Sequence, residues 1–236
     1  SQVNLVKTFN PKYGNPFSGT GIIASNMLTG TPNMYTTLSK YKCFTAFAKH
    51  YSGQFSISQL DYGFYTIGMK NDLELDQLKA FWEQIDNSPY LKICVDVANG
   101  YQQHFSDYIN RLRDHFYPCV IVAGNVCTPE MVQELVIAGA DYVKVGIGPG
   151  NACRTRLKTG VGYPQLSAII ECSDAAHGLG AGIVADGGIR SAGDVAKAFC
   201  GNADMVMIGS MLAGTNECDG ECITKHFESD ELEWDN

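Results

Sequence analysis

The feature that most narrows what this chain can fold into is a series of eight short apolar runs: "GIIASNM" (21–27), "CFTAFAK" (43–49), "GFYTIGM" (63–69), "KICVDVA" (92–98), "CVIVAGN" (119–125), "YVKVGIG" (142–148), "GIVADGG" (182–188) and "MVMIGSM" (205–211). They are near-continuously apolar rather than alternating, as parallel strands covered on both faces are. Helical periodicity fills the gaps. Residues 71–85 put Leu73, Leu75, Leu78, Phe81, Trp82 and Ile85 on one face, and 105–116 do so with Phe105, Tyr108, Ile109, Leu112 and Phe116. A third segment, 128–140, opens on Thr128 as N-cap with Pro129 in the first turn and stops at Gly139. Strand then helix, repeated around eight strands rather than the five or so of many open sheets, predicts an α/β fold: a single-domain (β/α)8 TIM barrel over residues 1–216.

Two runs also match each other. "GADYVKVGIG" (139–148) and "NADMVMIGSM" (202–211) share Ala-Asp before the strand and Ile-Gly at its end, as repeated units should. The sixth and seventh strands lie about 40 residues apart, so the sixth strand-to-helix loop is long and falls on the face where barrels keep their active sites. After the eighth strand no amphipathic helix is evident. Residues 217–236 instead set eight acids against Lys225, carrying −7 of the net charge of −8, and read as a separate, solvated acidic tail. The remaining body is close to neutral and has no basic patch for duplex nucleic acid.

No apolar run approaches the roughly 20 residues of a membrane span, and the first residues lack the apolar core of a signal peptide. Nine cysteines are scattered, odd in number and often inside apolar runs, which points to reduced thiols; no C-x-x-C pair suggests structural zinc. A soluble, cytoplasmic protein is expected. The five histidines form no H-x-H or H-x-x-x-H pair, which argues against a histidine-ligated catalytic metal.

Polar and glycine-rich strand ends converge on one face of such a barrel: Asn26, Lys49, Asp96 with Asn99, Asn125, the segment 146–153, the segment 186–188, and Gly209 with Ser210. Gly187 and Gly188 offer backbone N–H groups ahead of a helix capped by Ser191, and "IGSM" offers a second set; together they suit a phosphate. Asp186 suits a sugar diol, since one carboxylate can accept two hydroxyl hydrogen bonds, and Asp96 would serve equally well. Cys153 differs from the other cysteines in following Gly-Pro-Gly-Asn-Ala and preceding Arg154, Thr155 and Arg156, a polar, cationic setting that favours the nucleophilic thiolate.

The segments "KVGIGPGNACRTRLKTGVGYPQLSAIIECSDAAHGLG", "DGGIRSAGDVAKAF" and "ADMVMIGSMLAG", with "FTAFAKHYS" and "CVDVANGYQQHF", resemble the IMP dehydrogenase/GMP reductase family, in the wording of its reductase branch, from about residue 3 to 216. The resemblance implies NADPH-dependent deamination of GMP to IMP, with Cys153 attacking C2 of the purine and Thr155 assisting proton transfer. It also implies that Asp186, Gly187, Gly188, Gly209 and Ser210 bind the nucleotide, and that Lys49, Asp96, Val97, Ala98, Ile147 and Gly148 bind the dinucleotide. A monovalent cation (K+) would sit at Gly148, Gly150, Cys153 and Arg156, and the assembly would be a homotetramer. Relative to the family, an N-terminal extension and a C-terminal flap with an "RASEG"-like Glu are not found in these residues, Leu28 replaces an acidic residue, and the second helix is short. Two other readings therefore stay open: a purine-nucleotide-binding regulatory barrel without turnover, and an IMP dehydrogenase using NAD.

Overall fold

The computed structural model describes residues 3–69 and 72–221. Its first two strands stand outside the barrel: β1 (Lys7–Phe9) and β2 (Phe17–Gly19) form an antiparallel ribbon. The barrel follows as β3 (Ile22–Ala24), β4 (Phe44–Ala46), β5 (Gly63–Ile67), β6 (Lys92–Asp96), β7 (Val120–Val126), β8 (Tyr142–Val145), β9 (Gly182–Asp186) and β10 (Met205–Ile208), parallel throughout and closed by β10 against β3. All eight fall on the eight apolar runs. The helices are α1 (Pro32–Leu38), α2 (Asp72–Gln84), α3 (Gln103–His115), α4 (Pro129–Ala138), α5 (Thr155–Thr159), α6 (Gln165–Gly178) and α7 (Ala192–Cys200). Between β4 and β5 stand only short 3-10 helices at Lys49–Gln54 and Ile57–Gln59.

Local chemistry sets these bounds. Thr128 and Pro129 open α4, and Gly139 closes it in a left-handed conformation, φ +119°, that side chains resist. Ser191 caps α7 by accepting the Asp194 N–H at 3.3 Å. The matched Ala-Asp pairs have one physical role. Asp141 N donates to Ile121 O at 2.8 Å while its Oδ2 accepts Ile121 N at 2.8 Å, and Asp204 does the same with Ile183 at 3.1 and 2.9 Å. Each carboxylate thus clamps the start of one strand to its neighbour.

Phe44, Phe64, Cys94, Val120, Val122, Tyr142, Val184, Met205 and Met207 fill the barrel interior, while the opposite strand faces pack under the helices. The ribbon closes the N-terminal end of the barrel. Phe17 stacks on Phe9 at 4.9 Å and meets Phe44 edge-on at 5.5 Å, with Lys92 Nζ 5.5 Å above its ring. This ribbon is missing from the sequence reading because strands of three residues are too short to show a period.

The predicted boundary at 216 needs a correction. Thr31 Oγ1 donates to Glu217 O, and Asp219 accepts Tyr51 OH at 2.6 Å and lies 3.0 Å from His50 Nε2, so 217–219 are held against α1 and the turn after β4. Composition counted these acids as a solvated tail; packed partners claim them. The rest of that tail, 222–236, lies outside the described residues. No helix among the described residues is long and apolar enough to cross a membrane.

Candidate active site

The carboxyl ends of the barrel strands gather the polar residues picked from the sequence. Asp96 ends β6 and Asp186 ends β9, both inside the barrel mouth. Lys49, after β4, donates to Asp96 O at 2.9 Å and lies 4.0 Å from its carboxylate, and Asn26 hydrogen-bonds the same carboxylate. Asn125 on β7 donates to Asp186 Oδ2 at 2.8 Å and to Gly146 O at 3.0 Å. Val97 follows Asp96 with its N–H on Gly124 O at 3.0 Å, and Ala98 stands exposed at the rim.

The long loop after β8 is folded tightly over this mouth. A side chain at Gly146 would meet Asp186 O at 2.0 Å, so only glycine lets the loop pass so close. The same holds at Gly187, φ +88°, where a Cβ would lie 2.9 Å from Pro149. Cys153 N donates to Gly150 O at 3.1 Å, closing a turn that presents an exposed Cys153 whose thiol donates to Thr155 Oγ1 at 3.2 Å. Arg156 lies across Gly148 and donates to Ile147 O at 3.2 Å and to Tyr163 O. Its guanidinium therefore braces the loop through backbone carbonyls, a use that the charge pattern around Cys153 did not reveal.

Three features suit an anionic, hydroxyl-rich ligand. The N–H groups of Gly187, Gly188, Gly209 and Ser210 meet no acceptor among the described residues, while Ser210 Oγ donates to Ile189 O at 3.4 Å and ties the two loops together. Asn125 Oδ1 and Gln165 Oε1 are buried acceptors without partners; Gln165 spends its amide N–H on Val145 O at 2.8 Å and Asp186 O at 3.3 Å. Buried polar groups are normally paired, so orphans at a barrel mouth mark a place for a ligand. Beside Lys49 opens a cavity of about 280 Å³ reaching Glu74 and Gln77.

Two polar side chains at the mouth, Gln165 and Lys144, carry no obvious signal in the sequence. Gln165 is the first residue of α6, and its reach to β8 and β9 depends on the fold. Lys144 on β8 is wholly buried, with Nζ 2.5 Å from Asp96 Oδ1 and 4.0 Å from Asp186 Oδ2. Its signal was a lysine inside an apolar strand run, where the charge can only turn into the barrel. Burial alone would lower the Lys144 pKa, but Cys94, Asp96 and Asp186 around it outweigh that and raise it. Burial likewise works against the Asp96 carboxylate, yet Lys144, Asn26 and Lys49 hold its pKa below the ordinary range. For Asp186 burial wins, and its pKa is raised despite Lys144 and Asn125. Cys94, beneath them, is pushed up to about 11 by burial.

A family profile described as the IMP dehydrogenase/GMP reductase domain matches residues 67–230. The GMP reductase of Buchnera aphidicola subsp. Acyrthosiphon pisum is 50% identical over 233 residues, 94% of this chain and 66% of that protein. The GMP reductase of Photobacterium profundum is 48% identical over 238 residues, 97% of this chain and 68% of its own length. Among solved structures, inosine 5′ monophosphate dehydrogenase from Legionella pneumophila superposes with a TM-score of 0.76 at 33% identity, over 89% of this chain and 64% of that one. The chain thus spans about two thirds of the length of these relatives.

Proposed function

The chain belongs to the IMP dehydrogenase/GMP reductase family, and from that premise we propose that it is the barrel of a cytoplasmic GMP reductase, converting GMP to IMP and ammonia through a covalent bond between Cys153 and the purine. The observation that carries the reading is the exposed Cys153–Thr155 pair, 3.2 Å apart, beside a cradle of unclaimed N–H groups and a carboxylate. The phosphate would rest on the N–H groups of Gly187, Gly188, Gly209 and Ser210, and the ribose hydroxyls would donate to Asp186. Cys153 Sγ adds to C2 as its proton is relayed through the Thr155 hydroxyl to the 2-amino group, which leaves as ammonia. Delivery of a hydride to C2 would let the C–S bond break, with the Cys153 sulfur departing with its electron pair.

NADPH supplies that hydride when bound, and Lys49, Asp96, Val97, Ala98, Ile147 and Gly148 would hold it. Of these, Lys49 lines the cavity of about 280 Å³ and places an ammonium there for an anionic cofactor. For the cation, Gly148, Gly150 and Cys153 offer neutral carbonyl oxygens, and no cluster of three or more His, Cys, Asp or Glu among the described residues could hold a metal ion. Such a donor set suits K+ better than a divalent or thiophilic ion. The assembly would be a homotetramer, and Leu166 and Ile170, exposed one turn apart on α6, offer an apolar contact for association of any order.

Reductase is preferred to dehydrogenase because the relatives at 48–50% identity are reductases and the dehydrogenase structure stands at 33%. Parallel assays with GMP plus NADPH and with IMP plus NAD decide it. Turnover of the first pair alone is expected; turnover of the second pair alone would make the protein a dehydrogenase, and nucleotide binding without turnover a regulatory barrel.

A further inference from the structure

Lys144 is a buried charged residue at the mouth that the proposed chemistry leaves without a task. It shares the inward face of β8 with Tyr142 and has no exposed surface. Asp96, Gly124 and Lys144 are partners across β6, β7 and β8. Gly124 therefore lies between the lysine and the carboxylate. A Cβ there would meet Lys144 Cβ at 2.6 Å, so the missing side chain is what lets Nζ cross to Asp96 Oδ1 at 2.5 Å. On its other side Lys144 faces Asp186 Oδ2 at 4.0 Å. The titratable groups packed around Nζ are Cys94 and Asp96 from β6 and Asp186 from β9, with Lys49 facing Asp96 from above.

We propose that Lys144 is a positioning residue joining the two halves of the site, one buried cation that lets Asp96 on the dinucleotide side and Asp186 on the ribose side both stay ionised at close quarters. This rests on the reading that Asp186 takes the ribose. Two carboxylates in a low-dielectric mouth without that cation repel until one binds a proton. Asp186 is the weaker anion, held by an amide and a cation 4.0 Å away, and once protonated it can no longer accept both ribose hydroxyls. Lys144 thus governs nucleotide affinity without touching the nucleotide.

Calorimetric titration of GMP into the full protein, Lys144→Met and the double variant Lys144→Met/Asp96→Asn tests this. Lys144→Met is expected to weaken GMP by about tenfold or more, and the double variant, which removes the competing carboxylate charge, to return to within about threefold of wild type. Rescue separates charge balance from a packing role, which a second substitution would not repair. If Lys144→Met does not fold, the double variant alone decides, since it loses one charge of each sign: affinity within about threefold supports the role, and a tenfold loss overturns it. Unchanged affinity in Lys144→Met, or equal weakness in both variants, overturns the role while leaving the GMP reductase reading intact. Absence of GMP binding by the wild type overturns that reading and this role with it.

Discussion

Two lysines point into the same barrel and titrate in opposite directions. Lys92 starts β6 near the ribbon end and Lys144 sits at the mouth; they are 3% and 0% exposed. Burial pushes Lys92 down to about 8, with Asp61 only partly offsetting it, because its close partners are the Leu60 carbonyl and the Phe17 ring. Lys144 rises because carboxylates face it. The contrast extends to the two ends of the molecule. At the ribbon end polar groups are matched in place: Asp141 accepts Tyr13 N, Gly14 N, Ile121 N and Arg113 Nη2 at 2.6–3.0 Å, and Arg113 also donates to Gly139 O and Cys119 O. At the mouth, donors and acceptors are held ready without partners. One end is finished for stability and the other left open for a ligand.

The largest effect that could break this division is at Cys153. Cys153→Ala is expected to lower turnover with GMP and NADPH by about 10⁴-fold or more while thermal unfolding stays unchanged; a matching loss of stability would erase the distinction. Next comes Asp141→Ala, which strands the Arg113 cation and should cost about 3–5 kcal/mol in urea unfolding while nucleotide affinity of the folded fraction holds. Lys92→Met sharpens the comparison of the lysines. Because folded Lys92 binds its proton less tightly than the unfolded chain, whose value is near 10.5, wild-type stability rises as pH climbs from about 8 to 10.5. The variant should therefore be about 1–3 kcal/mol more stable than wild type near neutral pH, with the gap narrowing across that window. Smallest is Ser191→Ala, expected to cost about 1 kcal/mol through loss of the α7 cap, read by calorimetric melting.

Periodicity made the barrel legible, because eight strands covered on both faces have no polar side to show. The placement of Gly187, Asp186 and Cys153 at the barrel mouth was legible too, since glycine pairs, strand-end carboxylates and a thiol in a polar turn are rare together. What stayed hidden depended on contacts between distant strands. Nothing near Lys144 in sequence says that Gly124 clears its path to Asp96, and nothing near Gln165 says that its amide reaches across to β8 and β9. The ribbon was hidden by brevity, and the docking of Glu217 and Asp219 by an acidic composition shared with the residues after them.

Chemistry through Cys153 is what would distinguish the open end of the barrel most directly from the closed one. Protein mixed with GMP in the absence of NADPH, quenched in acid and digested, should yield the peptide containing Cys153 with the nucleotide attached at a mass reduced by that of ammonia. An unmodified Cys153 peptide, together with steady oxidation of NADPH when GMP and cofactor are both supplied, would contradict it.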